Sequence, residues 1–230
     1  MTPEAPIDIS SPKTWPDSLA AAVAELNRRT AHAAHPSDLE IDAEGAAAIW
    51  AVLGHKRVLA RHFTRLLPHE LGSIRAAGLR LYSRALFDER IDEAAAHGYF
   101  DTAIAEVLKS ASIPAAEHGK RGDRDFVCLT VGPVLEENAH AVEPLIGTWG
   151  GEGIYFASGA KPYRSLLQGL GRPAVVHVSL SLANRSMPRF WPPPEQLLLG
   201  KVRDLPELFG DVFSREAISP SAIIDVELLD

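Results

Sequence analysis

Two short stretches hold the residues best suited to chemistry. In "RHFTRL", residues 61–66, His62 and Thr64 stand two apart in an alternating segment. On a strand they point the same way and can offer one ligand a ring nitrogen and a hydroxyl. In "GTWGGEGIYFASG", residues 147–159, Gly147, Gly150, Gly151 and Gly153 surround Trp149 and Glu152 ahead of an apolar run that carries Tyr155. Glycine lets a flat ligand or another backbone come close. Read as a strand, "GIYFA" turns Tyr155 away from Ile154 and Phe156, which makes its ring the platform for a ligand on the glycine side. Taken singly, each stretch is equally well explained by structure alone: a strand histidine with a satisfied ring, and a glycine-rich turn entering a core strand.

Together, and in this order, "HFTR", "GGEGIYFA" and a nearby second tyrosine, Tyr163, give a pattern that resembles the ADP-ribosyltransferase superfamily. The likeness is to the branch with a His, Tyr, Glu triad, which includes diphtheria-type toxins, poly(ADP-ribose) polymerases and DarT-like DNA-modifying toxins. In the polymerases a His-Gly-Ser-Arg motif opens the site, and a Gly-Lys-Gly-Ile-Tyr-Phe-Ala motif forms the wall under nicotinamide. Here "HFTR" keeps the histidine, a hydroxyl and the arginine, with Phe63 in the place of glycine, and Glu152 stands where lysine is usual. "PHELGSIRAAGLR" is similar to the family's helix that ends in Gly-Leu. The likeness spans about residues 56–182, with residues 83–125 unmatched.

The resemblance implies an α+β fold with an ADP-ribosyltransferase-like split β-sheet core, and NAD as substrate with no metal. NAD would be bent into a cleft, with Tyr155 and Tyr163 stacked on nicotinamide. Thr64 and the backbone of Gly153 would hold the amide, Phe63 and Arg65 would come with the motif, and His62 would hydrogen-bond a ribose hydroxyl. Breaking the glycosidic bond develops oxocarbenium character, which a carboxylate against the 2′-hydroxyl stabilises more in the transition state than in the ground state. The site therefore needs a glutamate. Of three candidates, Glu195 is preferred, because it opens "EQLLL" after the strand "PAVVHVSLSL", and the family often places its glutamate at the head of a strand. Glu152 reads as a rim acid, and Glu227 as a solvent-facing acid on an edge strand. Arg65 matches the motif arginine, although Arg61 and Arg65 could equally be structural salt-bridge partners. Arg80, after the Gly-Leu, suits the pyrophosphate through its bidentate guanidinium.

These expectations describe an enzyme that cleaves NAD at the nicotinamide bond and transfers ADP-ribose to a macromolecular acceptor, protein or nucleic acid. One alternative uses water as acceptor and depletes NAD, as in the RES-domain toxins. Another, suggested by Phe63 and Glu152, is a non-catalytic module of the same fold that binds a nucleotide or a partner. The toxin readings bring with them an antitoxin or immunity partner. Other chemistries lack their residues. His62 and His69 are separated by a strand-to-helix break and there is no His-Glu-x-x-His, which argues against a zinc hydrolase. The glycines lack the strand-turn-helix context of a dinucleotide fold, and no P-loop lysine pattern occurs. Cys128, in "FVCLTV", reads as inert core.

The elements that must carry these residues are legible from periodicity. Residues 1–15 read as a loose arm, 16–34 and "DAEGAAAIWAVLG" as Ala-rich helices, the second stopped by Gly54. This lead-in, residues 1–54, precedes a domain over 55–230. "KRVLARHFTRLL" alternates as a strand with Val58, Ala60, His62 and Thr64 on one side. "PHELGSIRAAGL" is a helix with Pro68 in its first turn and Gly78 as C-cap. Two short helices follow over 83–109 with a turn at "HGYF", then a charged loop at 114–125. Strands are expected at "FVCLTV", "GIYFA", "PAVVHVSLSL" and the closing "ISPSAIIDVELL", with a helix at "KPYRSLLQGL".

The chain has 230 residues, 46% of them hydrophobic, which suffices for a real core. A formal charge of −7 argues against coating nucleic acid or anionic membrane through the overall field. Residues 51–90 nevertheless carry eight Lys or Arg against three acids. That local excess reads either as a solvated helix surface or as a cleft wall facing a small anionic ligand. A single cysteine excludes an internal disulfide, and no apolar run approaches the roughly 20 residues of a membrane span, so a cytoplasmic location is expected.

Overall fold

The computed structural model describes residues 5–31, 41, 43–111, 126–132, 139–155, 158–183, 189–205 and 210–229, with backbone alone at 139–141, 152, 155 and 158. The class is α+β. Six strands, β1 (Arg57–Leu66), β2 (Val127–Val131), β3 (Arg172–Ser181), β4 (Arg189–Trp191), β5 (Gly210–Ser214) and β6 (Ile223–Leu228), form one sheet in the order β4-β5-β2-β1-β3-β6. β1 pairs antiparallel with β2, Arg61 opposite Thr130, and β4 pairs antiparallel with β5. The chain divides into two compact units. One comprises Met1–His62, Cys128–Ala139 and His177–Ser214, and the other Phe63–Val127, His140–Val176 and Arg215–Asp230.

In the first unit, helix α1 (Asp17–Arg29) buries Leu19, Val23 and Leu26, the spacing of one helical face, and packs on α2 (Ala43–Leu53). Residues 5–15 are no loose arm. Ile7 exchanges backbone hydrogen bonds with β1, its N–H to Arg57 and its carbonyl to the Leu59 N–H, both 2.8 Å. Ile7, Ile9 and Trp15 are buried, and the Trp15 indole donates to the Asp8 carbonyl at 2.9 Å. The Asp8 carboxylate accepts from buried Arg61 at 2.8 Å. Composition rich in Pro, Ser and Asp concealed two isoleucines and a tryptophan with a core to reach. β2 follows its alternation with Val127 and Leu129 inside, so Cys128 is exposed and not core.

In the second unit, α3 (Pro68–Ala77) starts with proline in its first turn and ends where the Gly78 N–H donates to the Ile74 carbonyl. α4 (Arg84–Ala96) is capped by the Ser83 hydroxyl, which accepts from the Leu86 N–H, and packs against α5 (Thr102–Ala111). Helix α6 (Ala139–Ile146) follows. Of the stretch expected as the strand "GIYFA", residues 153–155 lie instead in a helical turn, α7 (Glu152–Tyr155), and Phe156 and Ala157 lie outside the described residues. Gly150 at φ +90° and Gly151 at φ +53° reverse the chain, and the Ile154 N–H bonds back to Gly151. A Cβ at Gly150 would stand 2.8 Å from the Ile154 side chain. So short an apolar run carries either period, and the burial of Trp149 on one side of the turn and Ile154 on the other selects the helical one. A 3₁₀ segment (Ser158–Tyr163) and α8 (Arg164–Gly169) complete the region.

The core of this unit is organised by a buried charge. Glu70, 6% exposed, is the buried residue of α3. Its Oε2 accepts from the Leu67 N–H at 2.8 Å and from the Trp149 indole N–H at 3.0 Å, and its Oε1 accepts from Arg90 Nε at 2.7 Å. The Arg90 guanidinium lies 5.3 Å from the centre of the Trp149 ring. Burial works to raise the Glu70 carboxyl, but Arg90, the Leu67 N–H and the Trp149 indole outweigh it and hold the group below the ordinary carboxylate range. A depressed folded pKa contributes stability that is present above the unfolded value, about 4.3, and is lost as pH falls through the folded one. Glu70→Ala is expected to destabilise the protein by about 3 kcal/mol at pH 7, since it orphans a guanidinium, an indole N–H and a backbone N–H together. Urea denaturation should show that difference shrinking as pH drops below about 4.

Candidate functional site

β1 lies inside the sheet, between β2 and β3, and carries both residues of the "HFT" motif. His62 is half-buried, and its Nδ1 lies 2.9 Å from the Cys128 carbonyl. A carbonyl only accepts, so Nδ1 bears the proton of this bond. Thr64 is half-buried and Phe63 is buried. His62 and Glu195 belong to the first unit, whereas Phe63, Thr64, Arg65, Arg80, Gly153, Tyr155 and Tyr163 belong to the second.

Glu195 does not begin a strand. It lies in the first turn of α9 (Pro194–Val202), behind three consecutive prolines of which Pro194 occupies the start of the helix. Proline presets the helical φ, and Leu197, Leu198 and Leu199 then bury as part of a helix packed on α1. Glu195 is only 4% exposed, and its Oε2 is buried without a hydrogen-bond partner among the described residues. Its carboxyl is pushed above the ordinary range by burial, against which its own backbone N–H and the Trp50 side chain pull downward. Trp50 also packs edge-on against Phe190, their centroids 6.1 Å apart. Sequence reasoning passed over Trp50 as part of a lead-in helix.

The arginines find partners within the protein. Arg65 donates to the backbone carbonyls of Leu170 and, at 3.2 Å, Ile146, and burial lowers its pKa. It is thus a backbone clamp and not a salt-bridge partner, whereas Arg61 is one, to Asp8. Arg80 is engaged bidentately by Glu89 at 2.5 and 2.7 Å, so a pyrophosphate would have to displace that carboxylate. Arg57 holds Ser179, Arg84 faces Asp88 and Arg90 holds Glu70. The basic excess of residues 51–90 is therefore largely spent on internal contacts.

Around the glycine-rich stretch, what comes close is the protein itself. A Cβ on Gly153 would meet the Tyr82 hydroxyl at 2.5 Å and the Phe87 ring at 2.7 Å. Tyr163 packs against the core cluster that contains Phe87, Trp149 and Ile154. The side chains of Glu152 and Tyr155 and all of the charged loop 114–125 lie outside the described residues. Glu227 is exposed on the edge strand β6, as its sequence context suggested. Among the described residues no group of three or more His, Cys, Asp or Glu could hold a metal ion, and no helix is long and apolar enough to cross a membrane.

Glu195 and Glu70 have opposite pH signatures. A raised folded pKa means that the folded chain holds the Glu195 proton more tightly than the unfolded chain. Stability therefore falls as pH rises from about 4.3 through the folded value. Glu195→Gln is expected to gain stability relative to the native protein as pH rises from 4 to 8, by about 1 kcal/mol or more. Thermal denaturation across that range measures it, and an unchanging difference would contradict the assignment.

No protein-family model, curated protein or solved structure matches this chain.

Proposed function

We propose that the protein is an NAD-dependent ADP-ribosyltransferase of the His, Tyr, Glu type, with an ADP-ribosyltransferase-like sheet core, acting on a macromolecular acceptor. The observation that carries this reading is the buried carboxyl of Glu195, whose Oε2 has no hydrogen-bond partner among the described residues. An uncompensated buried carboxyl opposes stability, and such groups concentrate at functional sites. His62 supports the same reading. The carbonyl of Cys128 accepts from Nδ1, which orients the ring on β1.

In this reading Glu195 accepts from the 2′-hydroxyl of the nicotinamide ribose and stabilises the positive charge that develops as the glycosidic bond breaks. The departing bond electrons go to nicotinamide, and the acceptor's nucleophile adds to the anomeric carbon with loss of its proton. Thr64, Arg65, Gly153, Tyr155 and Tyr163 enter through the motif resemblance. A second reading, a non-catalytic module, is favoured by one specific feature: the Arg80 fork expected for pyrophosphate is held by Glu89.

Incubation with labelled NAD and a cell lysate should release nicotinamide and label a macromolecule. Protease or nuclease digestion then identifies its class. Glu195→Gln and His62→Ala are each expected to lower nicotinamide release by about 100-fold or more without loss of fold. Free ADP-ribose with no labelled product would instead make water the acceptor. Absence of both nicotinamide release and NAD-dependent thermal stabilisation would leave the non-catalytic reading.

A further inference from the structure

Two histidine rings lie face to face across the seam between α3 and α4. His69, in the first turn of α3, stacks on His97, the residue that ends α4, with ring centroids 4.3 Å apart and planes 14° from parallel. The Tyr99 ring completes the cluster, 6.3 Å from His69 and 6.4 Å from His97. Both ring nitrogens of His69 are shut off from water, and neither has a hydrogen-bond partner among the described residues. The carboxylate within ion-pair reach is that of Glu93, whose Oε2 stands 3.8 Å from His69 Nε2. Arg90, Glu93 and His97 follow one another on α4 at intervals of three and four, so they share one face of that helix. The seam therefore joins α3 to α4 twice, through the buried Glu70–Arg90 pair and through the two imidazoles.

We propose that the His69–His97 stack is an acid-opened latch between α3 and α4. Two neutral rings can lie face to face, and one positive charge is answered by Glu93. A second charge is not, because two imidazolium rings 4.3 Å apart repel each other beside nitrogens that water does not reach. The other charges around the stack leave that repulsion standing. Glu70 is committed to Arg90, to the Leu67 N–H and to the Trp149 indole, Arg90 is itself positive, and Asp92 of α4 pairs with Lys109 of α5 at 2.5 Å. The helix dipoles divide the two rings: the end of α4 favours a cation at His97, and the first turn of α3 opposes one at His69. The closed stack thus holds at most one added proton and the open one holds two. Closure is favoured as pH rises and is lost as pH falls through the range in which imidazoles charge, roughly pH 8 to 5. The turn that follows is held by the Gly98 N–H on the Ala95 carbonyl at 2.9 Å and the Tyr99 N–H on the Ala94 carbonyl at 3.1 Å. It leads into buried Phe100, whose ring centroid lies 5.9 Å from that of Trp149. The latch thereby bears on the glycine-rich stretch, independently of NAD and of the role of Glu195.

Amide hydrogen exchange on the full chain, followed by NMR, tests the latch. Protection of the Gly98 and Tyr99 N–H groups, corrected for the intrinsic pH dependence of exchange, should fall about tenfold or more between about pH 7.5 and pH 5, since one extra proton bound on opening allows up to about tenfold per pH unit. Amides of α1 serve as the reference and should keep their protection over the same range. His69→Phe keeps a ring against His97 and removes one of the two charges, so exchange at Gly98 and Tyr99 should cease to respond to acid. His97→Phe, at an exposed position, makes the same test if His69→Phe does not fold. Protection at Gly98 and Tyr99 that is the same at both pH values overturns the proposal, and so does an acid response that persists in a folded Phe variant. A fall at these two amides matched by an equal fall in α1 also overturns it, because the whole fold and not a latch would then be opening.

Discussion

Glu70 is the constraint around which the second unit is arranged. A carboxylate taken out of water at 6% exposure must be matched by donors, and here three arrive from three parts of the chain: the entry to its own helix, Arg90 of α4, and Trp149 of the glycine-rich stretch. Because the indole must reach Glu70, the chain on either side of Trp149 is committed. Its backbone N–H bonds to Leu167, and beyond it two glycines turn the chain so that Ile154 joins the core. The tight turn of this stretch is thus explained by an internal partner before any ligand is considered.

The two buried glutamates show how one residue type can serve opposite ends. Glu70 has every lone pair direction that matters answered by a donor, which holds its carboxyl low and makes it a structural group. Glu195 has an oxygen, Oε2, without a partner among the described residues, and burial moves its carboxyl up. The first adds stability at neutral pH and the second opposes it. A protein that retains the second arrangement keeps a local instability, and instabilities of that kind are characteristic of sites at which a ligand supplies the missing partner.

The basic excess of residues 51–90 illustrates why charge counts are poor guides to ligands. Arg57, Arg61, Arg65, Arg80, Arg84 and Arg90 are each engaged by a hydroxyl, a carboxylate or a backbone carbonyl of the same chain. Guanidinium forks suit such work because several N–H groups in one plane can tie together segments distant in sequence. Arg61 does this for the N-terminal segment, and Arg65 for the carbonyls of Ile146 and Leu170. A segment that reads as a candidate anion wall is, for the most part, a set of internal ties.

The sequence by itself determined the local elements. Alternation placed β1, β2, β3 and β6, Pro68 and Gly78 bounded α3, and helical spacing marked α1 and α2, because backbone periods of two and 3.6 residues are written into consecutive side chains. It also carried the histidine, threonine and glutamate on which a functional reading could be built. Tertiary structure decided what those periods leave open. It buried Glu70 on a helix whose apolar residues suggested a different inner face, and drew the N-terminal residues onto β1. It put residues 153–155 of "GIYFA" into a helical turn, and Glu195 into the first turn of a helix instead of the head of a strand. In each case the deciding partner is far away along the chain, and the energy of satisfying a buried charge, an indole N–H or an isoleucine exceeds the small local preference that a short segment expresses.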